Sequence, residues 1–211
     1  MELNENLAEI VGIMLGDGAL WLQPHCVNSY KIIVASDKRE KAWLIYVKCL
    51  FEAYFEEQFN IKEIKYGLHL TNYSAQVAHK LLKAGLIEGN KVENEVMIPS
   101  WVLKERKLLI RTIQGLFDTD GCVYKKYGRY AQIEFKFGSE TTTKSVHDAV
   151  VRLGFNPTKI QRQYNSYTGG FLWRFYFSRQ SEIERFFIEI TPKNPKHLER
   201  YQKIKSGAAG I

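Results

Sequence analysis

Two aspartates, Asp17 and Asp120, end the same pattern 103 residues apart: Ile10-Val11-Gly12-Ile13-Met14-Leu15-Gly16-Asp17-Gly18 and Ile113-Gln114-Gly115-Leu116-Phe117-Asp118-Thr119-Asp120-Gly121. Each copy reads as an apolar helix that stops on Asp-Gly. A carboxylate there faces the negative end of the helix dipole. One is mildly unfavourable, and two brought together call for a cation between them. Paired carboxylates suit Mg²⁺, a hard ion often held by one or two carboxylates plus the oxygens of a phosphate. The repeat thus points to two halves that pool one acid each. A calcium-loop reading of Asp118-Thr119-Asp120-Gly121 fails, because Cys122 and Arg129 occupy positions that must supply oxygens.

The residues behind each aspartate supply a reason for the pairing. Gly12 and Gly16 correspond to Gly115 and Thr119. An interior glycine costs a helix about 1 kcal/mol relative to alanine. Small residues one turn apart let two helix backbones approach closely, which would set Asp17 beside Asp120.

The elements around the pair repeat as well. Asp17 to Ser36 and Asp120 to Ser139 both span 19 residues, so motif, hairpin and the start of the next helix recur at equal spacing. Residues 4–16 read as a helix capped by Asn4 or Asn6, 19–36 as a hairpin turning through Gln23-Pro24-His25 and Asn28-Ser29, and 36–59 as a helix. Strand material follows over 60–71, then an amphipathic helix over 73–86. The polar, aperiodic segment 88–100 reads as the linker between an N-terminal half, 1–90, and a C-terminal half, 101–211. The second half repeats the order: helix 101–119, hairpin 122–138 around Tyr127-Gly128-Arg129, and a helix from Ser139 to about Gly154. Strands at 158–164 and 171–178 turn at 166–170, followed by helix 179–190 and a basic C-terminal segment. Each half is α-β-β-α-β-β-α, which predicts an α+β fold of two four-stranded antiparallel sheets with helices on one face.

On its consensus motif the chain resembles the LAGLIDADG homing endonucleases in their single-chain, two-motif form. The second copy, Ile113 to Gly121, matches closely, and the first departs at Leu15, where the consensus has its earlier aspartate. The resemblance covers nearly the whole chain. It implies a site-specific double-strand DNA endonuclease of intron homing, cutting a long, asymmetric site across the minor groove. It implies Mg²⁺ or Mn²⁺ as cofactor, with Ca²⁺ binding without supporting cleavage. The metal site is assigned to Asp17, Asp120, Gly16 and Thr119. Helper residues by repeat position are Ser36 and Ser139 at the strand ends and the lysines Lys91 and Lys196, with Lys193 a near neighbour of the latter. Ser36-Asp37 and Ser139-Glu140 read equally well as helix N-caps. Asp118 reads as a helix-end surface or interface residue rather than a ligand. Alternative functions on the same scaffold are an RNA-binding intron maturase and a DNA-binding protein that has lost cleavage; retention of both acids favours cleavage.

DNA reading is expected from the polar sheet faces. In Gln132-Ile133-Glu134-Phe135-Lys136-Phe137 the apolar set alternates with Gln132, Glu134 and Lys136, and a β-ribbon in the major groove can read adenine with Gln, guanine with Lys and cytosine with Glu. Lys159, Gln161 and Gln163 share one face of their strand, Arg174 lies opposite the Trp173 and Phe175 set, and Lys31, Lys65 and His69 are the first-half candidates.

Composition agrees with an anionic partner. In 211 residues, 30 Lys and Arg against 23 Asp and Glu give a net charge of +7. Three cysteines, Cys26, Cys49 and Cys122, lack metal or disulfide spacing, so reduced thiols are expected. The histidines have no zinc-ligand spacing. The start carries Glu2, Glu5 and Glu9 where a signal peptide would be basic, and no apolar run is membrane-spanning in length. The expectation is an intracellular monomer with internal pseudo-two-fold symmetry, in the cytoplasm of a prokaryote or an organelle or nucleus of a eukaryote, that binds double-stranded DNA, or intron RNA in the alternative.

Overall fold

The computed structural model describes residues 2–23, 29–128, 130–166 and 169–207. The expected turn residues Pro24, His25, Cys26, Asn28 and Arg129, and part of the 166–170 turn, lie outside them. The elements run α1 (Glu5–Leu15), β1 (Gly18–Leu22), β2 (Tyr30–Ser36), α2 (Lys41–Phe55), β3 (Asn60–Ile64), β4 (Gly67–Asn72) and α3 (Ala75–Lys83). The second half repeats this with α4 (Arg106–Asp120), β5 (Gly121–Tyr127), β6 (Tyr130–Phe137), α5 (Glu140–Arg152), β7 (Gln161–Asn165), β8 (Gly170–Phe177) and α6 (Gln180–Glu189), and adds α7 (Pro195–Ser206). Both sheets are antiparallel and four-stranded with the same order, β1-β2-β4-β3 and β5-β6-β8-β7. The chain is thus α+β with two pseudo-symmetric halves, as its repeat predicts.

Each sheet buries one face under its helices. Leu20, Ile32, Val34, Leu68 and Leu70 form that face in the first half, and Val123, Ile133, Phe135, Phe175 and Phe177 in the second. An aromatic cluster packs the latter: Phe135 lies 5.3 Å from Phe175 and 5.4 Å from Phe117 of α4, whose ring is 4.8 Å from Phe186 of α6. Ring pairs at these separations add roughly 0.5–1.5 kcal/mol beyond area burial.

Helices α1 and α4 lie at the centre. Every residue of α1 from Leu7 to Leu15 is buried, the signature of a helix surrounded by protein on all sides. Asn4 caps it, its Oδ1 accepting from Leu7 N at 3.1 Å. A buried acid lies at the seam: Glu9, fully buried, accepts from Tyr46 Oη at 2.6 Å and lies 3.2 Å from Arg111 Nη2 of α4.

Four boundaries differ from the sequence reading. The helix expected over 101–119 is broken at Glu105, whose backbone is extended, leaving a short 3-10 turn at Val102–Lys104 before α4. Helix α2 stops at Phe55 because Glu56 takes a left-handed conformation (φ 59°). Strand β7 starts at Gln161, so Lys159 precedes it. The basic C-terminal segment is a helix, α7, capped by Asn194 with Pro195 at its first turn. The 88–100 segment is no loose tether: Val96 and Ile98 are buried, and α5 holds them through Thr142 Oγ1 to Val96 O (2.7 Å) and Ile98 N to Ser145 Oγ (3.0 Å). Among the described residues no helix is long and apolar enough to cross a membrane.

Candidate metal centre and sheet faces

The two motif helices touch backbone to backbone. A Cβ on Gly12 would lie 2.9 Å from Leu116 N and nearer still to Thr112 O; one on Gly115 would meet Ile13 N at 2.9 Å and Glu9 O more closely. At the end of the seam a Cβ on Gly16 would fall 2.7 Å from Asp120 Oδ2. The small residues therefore do what their spacing predicts, and the two aspartates converge where the helices end.

Both aspartates are half-buried, and the charge in that position is expensive. Burial pushes the Asp120 carboxyl up to about 7, with the Asp17 charge adding to the rise, against the pull of Lys91 and Lys196. Burial likewise raises Asp17, opposed by Lys196 and Lys91, with Glu40 adding to the rise. Two desolvated carboxylates that repel each other are a standing demand for a cation. Among the described residues no group of three or more His, Cys, Asp or Glu side chains gathers around a point. A metal held here rests on two carboxylates, with main-chain, water or substrate oxygens completing its shell, the coordination that Mg²⁺ favours. Thr119 offers little through its side chain, since Oγ1 donates to Leu116 O at 2.8 Å within its own helix. Gly16 offers only its main chain, and its carbonyl already accepts from Lys91 Nζ.

Both lysines arrive at this point, by different routes. Lys91 Nζ caps the C-terminus of α1, donating to the carbonyls of Leu15 (3.1 Å) and Gly16; the cation compensates the helix dipole, while burial lowers its pKa against the pull of Asp120 and Asp17. Lys196, on the first turn of α7, bridges both carboxylate oxygens of Glu40 at 3.1 Å.

The two serines part company. Ser139 is buried and caps α5, its Oγ accepting from Thr142 N at 3.2 Å. Ser36 caps nothing: Asp37 takes the cap instead, accepting from Arg39 N at 2.9 Å. Ser36 lines a cleft of about 280 Å³ together with Asp17, Asp37, Tyr66 and His69.

Of the two places expected for it, surface or interface, Asp118 takes the interface. It is fully buried, and its carboxylate accepts from the main-chain N–H groups of Lys193 (3.0 Å) and Asn194 (2.9 Å). Burial pushes it up to about 7 against the pull of those donors.

On the open face of the second sheet the register places Lys136, Arg174 and Gln161 in one row and Cys122, Glu134 and Tyr176 in the next. Lys136 and Gln161 are exposed, as are Gln163 and Lys159. Glu134 and Arg174 are committed to each other at 3.2 Å. Gln132 is only 1% exposed, sits opposite Tyr124, and neither of its amide atoms has a partner. In the first half Lys31 pairs with Trp21 and His69 with Lys62, while Lys65 lies in the β3–β4 turn, 5.0 Å over the Tyr66 ring. Burial, then the Lys31 charge, lowers the His69 pKa.

Sequence reasoning missed Glu40, Asn194, Trp21, Lys62, Tyr124 and Tyr176. Alternation carried enough signal for the sheet-face residues, and Asn194-Pro195 is a helix start. Nothing local to Glu40 announces a partner 156 residues away.

Residues 108–191 match the family model of a LAGLIDADG-like domain. No curated protein sequence matches the chain. Among solved structures, mesophilic variants of the homing endonuclease I-DmoI superimpose with a TM-score of 0.65 at 16% identity, covering 88% of this chain and 94% of that one. I-DmoI in complex with DNA and Mn gives 0.63 at 16% identity over 88% and 96%, and the meganuclease I-SmaMI bound to uncleavable DNA gives 0.59 at 12% over 98% and 90%. Residues 108–191 are thus a LAGLIDADG-like domain, and the chain as a whole has the two-sheet, pseudo-symmetric α+β fold of the I-DmoI-like LAGLIDADG homing endonucleases.

Proposed function

We propose that this chain is a site-specific, divalent-metal-dependent DNA endonuclease of intron homing, cutting both strands of a long asymmetric site across the minor groove. The observation that carries the reading is the convergence of Asp17 and Asp120, one from each half, at the end of a backbone-tight seam, with Lys91 of the linker and Lys196 of the second half in electrostatic reach. The solved structures of similar fold bound to DNA and to Mn, Mg or Ca support the partner and the cofactor class.

The chemistry follows from the residues. In hydrolysis a water oxygen bonds to phosphorus, the bond to the 3′ oxygen breaks, and the departing oxygen gains a proton. Mg²⁺ or Mn²⁺, when held by Asp17 and Asp120, supplies charge stabilisation and an acidified water; Ca²⁺ is expected to support binding without cutting. Lys91 and Lys196 place positive charge beside the acids, where a phosphoryl group gathers negative charge. The exposed Lys136, Gln161 and Gln163 of the second sheet, with Lys31 and Lys62 in the other half, face the duplex, and unequal residues on the two faces read unequal half-sites. The net charge of +7 adds a sequence-independent attraction to phosphates.

The test incubates the native chain and Asp120→Asn with DNA spanning the uninterrupted insertion site, in Mg²⁺. Linearisation by the native chain alone is expected. No metal-dependent cutting by the native chain refutes the nuclease assignment, and equal cutting by both refutes the metal site.

A further inference from the structure

The two lysines approach the aspartates by different means, and the difference tracks the mismatch of Leu15 with Asp118 between the motif copies. Where the first motif has Leu15, buried and apolar, the lysine of the linker that follows that half caps α1 directly: Lys91 donates to the terminal carbonyls. Where the second has Asp118, the lysine is carried by α7, a helix of its own, and a chain of contacts ties that helix down. Asp118 takes the main-chain N–H groups of Lys193 and Asn194. Asn194, itself buried, donates through Nδ2 to Asp118 O (3.1 Å) and Glu40 Oε2 (2.7 Å), and its Oδ1 accepts from Lys196 N (3.3 Å). Glu40, at the end of a 3-10 turn just beyond β2 in the opposite half, then receives the Lys196 ammonium on both oxygens.

We infer that Asp118 and Glu40 are positioning residues for Lys196, and that the two lysines, anchored differently, govern the cutting of different strands. This rests on the nuclease reading. Asp118 fixes the backbone of the turn, Asn194 relays it, and Glu40 fixes the ammonium from across the seam. The side chains of Glu40 and Lys196 are only 19% and 22% exposed, so water screens the pair weakly and their geometry is held. Lys91 needs no such relay, because its acceptors are the carbonyls of the motif helix itself.

Glu40→Gln isolates the charge: an amide oxygen remains for Asn194 Nδ2, while the carboxylate facing Lys196 is gone. Asp118→Asn leaves one oxygen for one of the two main-chain donors. The assay is single-turnover nicking of a duplex that the native chain cuts, each strand carrying its own end label, with binding measured separately in Ca²⁺. Glu40→Gln is expected to slow one strand about 10- to 100-fold, the scale of misplacing a catalytic group by about 1 Å, with binding changed less than about threefold. Asp118→Asn and Lys196→Met should slow that same strand, and Lys91→Met the other. Equal slowing of both strands by Glu40→Gln, or of neither, overturns the inference while the nuclease assignment stands. A native chain that cuts neither strand removes both.

Discussion

Substituting Gly12 by alanine probes whether the gap between the motif helices sets the spacing of the aspartates. The new Cβ would meet Thr112 O, Leu116 N at 2.9 Å and Thr112 C at 3.0 Å, all main-chain atoms of α4 that no rotamer change can move. Restoring ordinary contact parts the helices by about 1 Å, and overpacking of this kind costs about 3 kcal/mol at the upper end of its usual range. Alanine returns about 1 kcal/mol in helix propensity. A net loss of about 2 kcal/mol lowers the melting temperature by about 4–8 °C in a chain of this size. The protein stays folded at assay temperature, yet the aspartates sit on the two helices being parted, so single-turnover cutting should fall about 100-fold. Gly115→Ala, which meets Glu9 O and Ile13 N from the other side, should behave alike. Gly138→Ala, whose Cβ meets only the Val92 side chain at 3.3 Å, serves as control. Thermal melts and labelled-duplex cutting decide it. A Gly12→Ala chain that melts and cuts like the native one refutes the close seam, and one that loses stability while cutting normally refutes the link from seam to site.

Metal binding should be linked to pH through the aspartates. Asp120 is raised to about 7, so the metal-free site holds a proton below that pH and a cation must expel it; the Mg²⁺-induced rise in melting temperature should be small at pH 6 and larger at pH 8. Taking the difference with and without Mg²⁺ cancels opposing background slopes, since raised carboxylates lose stability as pH climbs from 3.8 to 7 while buried His197, lowered to about 3, loses it as pH falls below 6.5; a pH-independent increment would exclude Asp120 from the metal shell. Lys136→Ala should weaken binding at particular base pairs by about 1–3 kcal/mol, and a uniform loss across sequences would make it a phosphate contact.

The architecture was legible because it is written twice. Equal spacing from Asp17 to Ser36 and from Asp120 to Ser139 is a long-range signal that single-element propensities lack, and the glycines marked the face by which the helices meet. Alternation in β6 separated Gln132, Glu134 and Lys136 from the core set, though not which of them stays available. Glu134 is spent on Arg174 of β8 and Gln132 is buried, outcomes of the folded sheet that no single strand records. Helix α7 escaped because its apolar residues are few and its stability comes from docking, although Asn194-Pro195 marked its start. For Asp118 the sequence left surface and interface both open for the same reason: its partners lie 75 and 76 residues downstream, and only the folded chain brings them to it.

The seam itself shows why the halves are not interchangeable. Positions related by the repeat carry Ala8 against Arg111, Glu9 against Thr112, and Leu15 against Asp118. Arg111 reaches across to Glu9, and Thr112 Oγ1 donates to Ala8 O at 2.8 Å, so each contact needs one member from each half. Two copies of the first helix would bury Glu9 beside alanine, and two copies of α4 would set Arg111 beside threonine. An unpartnered buried charge costs several kcal/mol, so the seam favours the mixed pairing over either symmetric one. The same asymmetry reaches the site: one lysine is fixed on helix carbonyls, the other through Asp118, Asn194 and Glu40. Under the proposed function, a duplex laid across these two halves would meet unlike surfaces on its two sides, and the proposed asymmetric target is the complement expected of a seam that is itself asymmetric.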